Sequence, residues 1–501
     1  MRWYRGVGVT ARRECCHVLV VGAGGAGLAA AIEAAEAGAA VILLEKNSVP
    51  GGSTSWSIGS VTSTRTIYQR RKGIEDDPLH HWEDMRGFSA GLDSRDNPQL
   101  RRILCDEIPH TFQWLLDSGV RFYGPMPEPP HRQPRMHNVL PNSRAFIYHL
   151  ERRARRAGVD IRTGAEVVQL IRADSGIVGV TYRTDQNVRE IRAPAVILAA
   201  GDFTNSPELK SRFMGPGAAQ VEAVNQMATG DGQRLAELVG GRIVNGDLAL
   251  GPELRFVAPQ TESLVRRLPP LRSIAKMLEW SLGHLPGALL RPFMMKFLTT
   301  ALAPAAQLFA DGAVLLNARG ERLCDEGGKL AHALAQQTGK MGYILLDARL
   351  ARLYEAWPNF ISTAPGIAYA YLGDYRRNRP DIYLRCKTLE QLAGQLRMDV
   401  AALRASADGR LGEGPFVTLG PVRPVFVHSE GGLAVDESHR VLADGNRAIP
   451  GLYAAGSTGQ GGLLLKGHGH HLAWAFVSGR RAGRIAAQKV LSGNKGRACS
   501  P

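Results

Sequence analysis

The chain has 501 residues, a mass of 54.2 kDa and a formal charge of +15. Its 44% hydrophobic and 21% charged residues are typical of a globular protein, which excludes disorder, collagen and coiled coil as descriptions of the whole chain. The basic residues form no long tract and accompany no recognition motif, so we expect no nucleic-acid partner.

The cysteines and the apolar runs bear on the cellular compartment. The six cysteines are scattered and show neither C-x-x-C nor metal-ligand spacing, which predicts a reduced, cytoplasmic protein. No apolar run precedes the first strand and none reaches 18 uncharged residues, so we expect neither a secretory signal nor a transmembrane helix.

The first elements in the chain predict a strand–helix–strand unit. The apolar run His17–Val21 predicts a buried strand, Leu28–Ala37 predicts an alanine-rich helix, and Ala40–Glu45 predicts a second strand. Gly38 ends the helix. A unit of this kind is the usual carrier of a dinucleotide-binding motif.

The motif G-x-G-x-x-G lies between the first strand and the helix. Gly22 permits the tight turn, Gly24 lets backbone N–H groups approach a pyrophosphate at the helix N-terminus, and Gly27 allows close packing of helix and strand. Glu45 follows Gly27 by 18 residues and is placed to accept hydrogen bonds from the ribose hydroxyls of an adenosine. The sequence therefore predicts a dinucleotide cofactor at this turn.

Strands and helices continue along the rest of the chain, and buried strands that end in glycine recur. The predicted strands are Val159–Arg162, Glu166–Ile171, Gly176–Tyr182, Ala195–Gly201, Val314–Asn317, Tyr343–Asp347, Gly432–Val435 and Gly451–Gly456. The predicted helices span residues 97–118, 232–240, 389–405 and 472–490. This arrangement is typical of an α/β fold.

The second strand runs directly into another glycine turn, Pro50-Gly51-Gly52-Ser53-Thr54. At this point the sequence resembles the FAD-binding flavoprotein family of fumarate reductases, succinate dehydrogenases and 3-ketosteroid Δ1-dehydrogenases. The resemblance spans about residues 16–490. Four further segments carry it: Val196–Gly201, Ala228–Gly232, Asn317–Arg322 with Asp325 and Glu326 after it, and Ile449–Gly456.

The resemblance implies a fold of two domains. These are a discontinuous Rossmann-like FAD-binding domain and an inserted α+β capping domain, with the active site between the cap and the flavin. We place the first part of the FAD-binding domain at residues 1–240, the cap at 241–411 and the second part at 412–501.

The motifs and the resemblance together imply a set of FAD contacts. In the respiratory succinate dehydrogenases a histidine just after the Gly-Gly turn binds the flavin covalently; here that position is Ser53, so we expect FAD to be held non-covalently. The predicted FAD-binding residues are Gly22, Gly24, Ala26, Gly27, Glu45, Lys46, Gly52, Ser53, Thr54, Gly59, Val168, Ala200, Gly201, Asp231, Gly456 and Leu472.

The resemblance also implies a reaction in which hydrogen is added or removed across a C–C bond beside a carbonyl or carboxylate group. Such a reaction needs a proton-handling group and donors aimed at the carbonyl oxygen. The best candidate donor is His428, because Val427–Leu433 resembles the family segment His-Thr-x-Gly-Gly, whose histidine binds a substrate carboxylate. A structural histidine is the alternative.

The other catalytic positions depart from the family pattern. The family's proton-donating arginine aligns with Ala351, and Arg349 and Arg352 on either side are the candidates to replace it. The substrate-binding arginine of the family aligns with Lys466, a point charge that cannot replace a bidentate guanidinium. This difference argues against a dicarboxylate substrate such as fumarate or succinate.

Several histidines are further candidates. His468, His470 and His471 have no obvious carboxylate or cysteine partners, so we predict contact with flavin or substrate, or a simple loop role, and no metal site. His131 and His137 lie in a segment that faces the flavin in the family, which makes substrate contact one interpretation.

Residues 264–309 mix leucine, methionine and phenylalanine with basic residues and proline. The uncharged run Phe297–Ala310 has 14 residues, too few to span a bilayer. Three interpretations stay open: cap helices packed on the core, an apolar substrate mouth, and a weak contact with a membrane surface.

The sequence thus favours an FAD-dependent oxidoreductase that reduces or forms a C=C bond conjugated to a carbonyl group, with a small-molecule substrate and an unidentified electron donor or acceptor. One alternative is an enzyme similar to 3-ketosteroid Δ1-dehydrogenase that acts on an apolar substrate. Another is a flavin subunit that passes electrons to a partner and has no carbon substrate of its own.

Overall fold

The computed structural model describes residues 14–185, 187–259, 267–284, 295, 299, 302–324, 329–364 and 368–493. Its α-helices are Gly25–Glu36, Gly52–Trp56, Ile67–Arg71, Pro78–Met85, Pro98–Ser118, Arg144–Arg156, Pro207–Met214, Pro216–Ala219, Asp231–Glu237, Arg272–His284, Ala306–Ala310, Leu330–Ala335, Ala348–Leu353, Leu372–Asn378, Leu389–Leu396, Val400–Ala407 and His470–Gly493.

A six-stranded sheet forms the centre of the larger part of the molecule. Its strands are parallel except for the first, in the order Arg440–Leu442, Ala448–Ala454, Ala195–Leu198, Val18–Val21, Val41–Leu44 and Asp160–Arg162. The strands Val18–Val21 and Ala195–Leu198 are buried along their whole length, which explains why they are continuous apolar runs and do not alternate with polar residues. The predicted Rossmann-like sheet is confirmed.

The first and last helices, Gly25–Glu36 and His470–Gly493, pack closely against each other. A Cβ on Gly479 would lie 2.3 Å from the backbone oxygen of Ala26, and one on Gly483 would lie 2.1 Å from that of Ala30. Glycine at these two positions therefore lets the helix backbones approach each other.

A second sheet is built around the long strand Phe416–Phe426. That strand pairs with Glu222–Ala223, Glu253–Phe256, Gly342–Leu346 and Tyr383–Cys386, and Val314–Asn317 pairs with Gly342–Leu346. Leu315, Ile344 and Leu419 belong to an apolar core of its own. The sheet extends past the predicted end of the cap at residue 411, because Phe416–Phe426 joins the cap strands. The domain boundaries themselves stay predictions.

Smaller sheets attach the remaining segments. A four-stranded sheet contains Glu14–Cys15, Val188–Arg192, Gly176–Arg183 and Glu166–Ala173, and a three-stranded sheet contains Ser60–Thr62, Met136–Leu140 and Arg121–Met126. The short pairs are Ile243–Val244 with Gly432–Leu433, Ala249–Leu250 with His428–Ser429, and Ser362–Ala364 with Ala368–Ala370.

The structure revises one sequence prediction, the helix 389–405, and describes only part of another, the segment 264–309. The predicted helix 389–405 is two helices, because Arg397 adopts a left-handed conformation with φ of 57° and Asp399 caps the second helix. Of residues 264–309, the helix Arg272–His284 exposes Met277 and Trp280, each 60% exposed. Leu289, Leu290, Phe293, Met294 and Phe297 of that segment lie outside the described residues. Within the described residues, no helix is long and apolar enough to cross a membrane.

Candidate functional site

A cleft of about 890 Å³, open mouth included, lies at the carboxyl ends of the central strands of the larger sheet. Ligands of open α/β sheets bind at this edge. Twelve of the predicted FAD-binding residues line the cleft: Gly22, Gly24, Ala26, Glu45, Lys46, Gly52, Ser53, Thr54, Ala200, Gly201, Asp231 and Gly456.

The backbone around the cleft fits an extended dinucleotide. A Cβ on Gly24 would meet only the backbone oxygen of Gly51, at 3.8 Å, and one on Gly201 would meet nothing within 4 Å. The backbone at these positions therefore faces open space. The helix Gly25–Glu36 begins at the cleft, and its N-terminal N–H groups and dipole favour a phosphate there.

Glu45 and Lys46, which follow the strand Val41–Leu44, have side chains that are held in fixed positions. Glu45 is 5% exposed, and its carboxylate accepts hydrogen bonds from Ala23 N at 2.7 Å and Asn47 N at 2.9 Å. Lys46 Nζ donates to Asp231 Oδ2 at 2.7 Å. Burial alone would raise the pKa of Asp231, but Lys46, Thr229 and Arg234 together outweigh it and leave that pKa below its usual value. Asp231 is therefore an anion at neutral pH.

Four predicted FAD-binding residues do not line the cleft. A Cβ on Gly27 would lie 1.8 Å from the backbone oxygen of Gly22, so this glycine serves the packing of helix on strand. A Cβ on Gly59 would lie 2.3 Å from Val139 Cγ1, so this glycine also serves packing. Val168 is 38% exposed because side chains alternate along its strand, and its neighbour Val167 lines the cleft instead. Leu472 packs against the core.

His428, Glu430 and His471 form a cluster that we call the active-site cluster, after the role that we propose for it below. Glu430 Oε1 lies 3.3 Å from His471 Nε2 and 3.6 Å from His428 Nε2, and the two imidazole rings are 3.7 Å apart between centroids. Glu430 Oε2 accepts hydrogen bonds from Gln460 Nε2 at 2.7 Å and Leu465 N at 3.0 Å. The carboxylate is thus fully engaged and fixes the two rings around it.

The charges in this cluster follow from burial and mutual contact. Burial, and then the neighbouring His471, lower the pKa of His428. Burial alone would raise the pKa of Glu430, but the two histidines outweigh it and hold that pKa well below its usual value. At neutral pH the cluster therefore contains a carboxylate and a His428 ring whose uncharged form is favoured.

The active-site cluster is continuous with the FAD cleft. Leu433 N donates to the backbone oxygen of Thr458 at 2.7 Å, and Thr458 Oγ1 donates to the backbone oxygen of Gly201 at 2.8 Å. A Cβ on Gly432 would lie 2.5 Å from the backbone oxygen of Ser457. Since Gly201 and Ser457 both line the cleft, the turn that carries His428 packs directly on its wall.

The structure does not bring the other predicted catalytic residues to this cluster. Arg349 and Arg352 are exposed on the helix Ala348–Leu353, and Arg349 donates to the backbone oxygen of Asp311 at 3.0 Å. The Lys466 side chain is exposed as well. His471, for which the sequence suggested only a loop or contact role, stands beside His428 where Lys466 was expected.

The neighbouring histidines take separate places. His468 is exposed and its Nδ1 lies 2.5 Å from Glu128 Oε1, a contact that raises the pKa of His468. His470 is buried against His81 and His131, which we call the three-histidine cluster. Sequence reasoning missed this cluster because its members come from distant segments, and it missed Glu430 although that residue lies two positions after His428.

Comparison with protein families identifies the chain. Residues 17–258 and 286–464 match the family model described as FAD binding domain, which covers more than half of the chain. The protein belongs to the FAD binding domain family.

Curated relatives extend along nearly the whole chain. The protein is 25% identical to NADH:fumarate oxidoreductase of Klebsiella pneumoniae over 94% of this chain and 48% of that protein. The chain therefore spans about half the length of this relative. It is 26% identical to vinyl phenol reductase of Lactiplantibacillus plantarum over 95% of this chain and 97% of that protein.

A solved structure shows the same fold. The open conformation of a flavocytochrome c3 fumarate reductase is similar with a TM-score of 0.72 at 24% identity, over 95% of this chain and 79% of that chain. The predicted family, fold class and FAD cofactor are confirmed. The enzyme class, an FAD-dependent oxidoreductase acting on CH–CH or C=C groups, is confirmed at that level.

Proposed function

We propose that the protein adds hydrogen to, or removes it from, a C–C bond conjugated with a carbonyl or carboxylate group. The observation that carries this proposal is the active-site cluster, a half-buried histidine pair on a buried carboxylate, packed on the wall of the FAD cleft. The names of the relatives support it, because fumarate and vinyl phenol are both reduced at a conjugated C=C bond.

The division of work between the two rings follows from their distances to Glu430. FAD, held by the glycine turns, Glu45 and the helix N-terminus, supplies the hydride acceptor or donor when bound. His471 Nε2 is within hydrogen-bond distance of the carboxylate, whereas His428 Nε2 at 3.6 Å is beyond it. His428 is therefore free to place its proton on the nitrogen that faces a substrate oxygen, where it stabilises enolate-like charge.

His471 is suited to handle the proton of the neighbouring carbon. Its Nε2–H is oriented by Glu430, which leaves Nδ1 to take or give a proton. No hydrogen bond from Nδ1 of His428 or His471 is present among the described residues, so both nitrogens are left for a ligand.

The charge of the site supports a substrate with at most one negative charge. Glu430 contributes a buried negative charge, and among the described residues no arginine or lysine is bonded to the cluster. A second carboxylate on the substrate would have no guanidinium partner and would be costly to bury beside Glu430. Enones and monocarboxylate enoates are thus favoured over dicarboxylates.

The test is anaerobic reoxidation of the reduced holoprotein, followed by flavin absorbance. We would mix it with a cyclic enone, a monocarboxylate enoate such as cinnamate, and fumarate. Reoxidation by an uncharged or singly charged substrate, faster than by fumarate, is the expected result. Faster reoxidation by fumarate would contradict the charge argument. If no conjugated substrate reoxidised the flavin, the proposed reaction would be wrong and the flavin subunit without a carbon substrate would be favoured.

A further inference from the structure

Three buried histidines meet at one point outside the active-site cluster. His81 lies on the helix Pro78–Met85, His131 lies in the loop before the strand Met136–Leu140, and His470 begins the last helix. Their relative exposures are 0%, 8% and 0%. The ring centroids form a nearly regular triangle with sides of 5.2, 5.3 and 5.5 Å.

The ring nitrogens of this three-histidine cluster have the spacing of metal ligands. His470 Nε2 lies 3.4 Å from His81 Nε2 and 3.3 Å from His131 Nε2. Two nitrogens bound tetrahedrally at about 2.0–2.1 Å from one zinc ion lie about 3.3–3.4 Å apart. One ligand atom from each ring lies within 4.8 Å of the others.

Hydrogen bonding within the protein leaves this cluster unsatisfied. His470 Nδ1 donates to the backbone oxygen of Lys466 at 2.7 Å, so His470 Nε2 carries a lone pair. His131 Nδ1 accepts from Arg135 at 2.9 Å, so His131 Nε2 carries a proton directed at that lone pair. His81 Nε2 faces the same lone pair, and His81 Nδ1 has no partner among the described residues. A buried ring nitrogen of His81 therefore stays unsatisfied in either tautomer: a proton on Nε2 competes with that of His131 for one lone pair, and a proton on Nδ1 has no acceptor.

We propose that the three-histidine cluster binds a divalent transition-metal cation of the zinc type through the three Nε2 atoms. Imidazole is a preferred ligand of zinc, and the cation would satisfy all three nitrogens together. The fourth position takes a water molecule, beside the ring of Phe88, whose centroid lies 4.7 Å from that of His131.

Binding requires one proton shift, from His131 Nε2 to Nδ1. The nearest carboxylate oxygen is Asp84 Oδ2, 4.0 Å from Nδ1 and bonded to Arg135 and to Arg132 N, so it accepts this proton only after a small movement towards the ring. Arg135 remains paired with Asp76, with two contacts of 2.7 Å, when it releases His131. The result is a carboxylate–histidine–metal arrangement of the kind that orients metal-binding histidines.

The metal would hold the loop that leads into the active site. His470 is adjacent to His471, which belongs to the active-site cluster. A cation that ties His470 to His81 and His131 would therefore fix the start of the last helix, and with it the position of His471. This role is structural and adds no step to the proposed reaction.

The experiment measures metal on the FAD-loaded protein. After removal of metal with a chelator and dialysis against zinc chloride, we expect about one zinc per chain by mass spectrometry. We expect less than one-tenth of that in His81→Gln and His131→Gln, with unchanged FAD per protein. X-ray absorption should give three nitrogen ligands at about 2.0–2.1 Å. His80→Ala, which changes an exposed histidine on the helix of His81, should keep the zinc.

Three outcomes would overturn the proposal. One is a wild-type protein that holds no zinc, and a second is zinc retained in both His81→Gln and His131→Gln. The third is zinc lost in His471→Gln but retained in His81→Gln. This result would place the metal at the active-site cluster, the second group of ligand residues close enough to hold one in the part of the chain that the structure describes. The FAD content of each variant separates loss of metal from failure to fold.

Discussion

The FAD cleft and the two histidine clusters are assembled from the chain in different ways. Much of the cleft wall comes from short segments such as residues 22–26 and 44–54, in which glycines recur. The clusters unite residues 81, 131 and 470, and residues 428, 430 and 471. A large part of the cofactor site therefore depends on local backbone geometry, whereas the histidine clusters depend entirely on how distant segments pack together.

The first prediction separates turnover from cofactor binding. His428→Ala should lower turnover on the order of a hundred- to a thousandfold, the usual effect of losing one donor to a developing oxyanion. FAD per protein should stay normal, because His428 is not among the residues that line the cleft. Steady-state kinetics and the flavin absorbance of the purified variant provide the two measurements. Arg349→Ala, at an exposed position, is the matched control and should keep wild-type turnover. A wild-type rate in His428→Ala would make this histidine structural.

The second prediction concerns the glycines of the cofactor turn. Gly27→Ala should destabilise the protein by about 3 kcal/mol, because its Cβ would lie 1.8 Å from the backbone oxygen of Gly22. Gly24→Ala meets only an atom at 3.8 Å, so it should leave the stability of the apoprotein unchanged and weaken FAD binding by filling the cleft. Denaturant unfolding and FAD titration distinguish the two. Equal stability of the two variants would contradict the packing role of Gly27.

The third prediction tests the carboxylate of the cleft. Glu45→Ala should weaken FAD binding by about 1–3 kcal/mol, the scale of a charge-assisted hydrogen bond. Glu45→Gln should weaken it less, because an amide oxygen can still accept from Ala23 N. The measurement is FAD titration of the apoproteins. Affinity unchanged in Glu45→Ala would exclude the ribose contact.

The fourth and smallest effect concerns pH. Burial lowers the pKa of His137 and of His439 to about 3. Below about pH 6.5 the unfolded chain binds protons that the folded chain excludes. The free energy of unfolding therefore decreases as the pH is lowered towards the folded pKa. Each of the two histidines contributes about 1.4 kcal/mol per pH unit to this decrease. His439→Gln should reduce the loss of unfolding free energy between pH 6.5 and 5.5 by about 1 kcal/mol. An exposed control, His110→Gln, should not, and equal pH dependence of the two variants would contradict the argument.

Patterns contained in a short stretch of sequence predicted the fold well. The strand Val314–Asn317 has the predicted bounds, and the helix predicted at 97–118 is Pro98–Ser118. That helix carries its own limits, because the Asn97 side chain accepts from Leu100 N at the start and Gly119 adopts φ of 109° at the end. The residues of the glycine motif lie at or beside the cleft for the same reason.

Features that depend on distant packing were not predicted. The strand Phe416–Phe426 contains Gly420 and two prolines, and its apolar and polar residues do not alternate. Only pairing with its partners in the cap sheet makes this segment a strand. The resemblance placed Lys466 in the substrate site, but its side chain is exposed, and the start of the last helix brings His471 beside His428. The meeting of His81, His131 and His470 has no signal in the local sequence, since the three residues come from segments that are far apart in the chain.

The last helix is synthesised long after the helix against which it packs. Gly479 follows its contact residue Ala26 by 453 residues, which a ribosome translates in roughly 20–90 s at about 5–20 residues per second. The cap sheet is complete once Phe426 has emerged, whereas the FAD cleft still lacks Gly456, Ser457 and Ala475. The nascent chain therefore carries a complete cap sheet beside an incomplete FAD cleft until Ala475 has emerged.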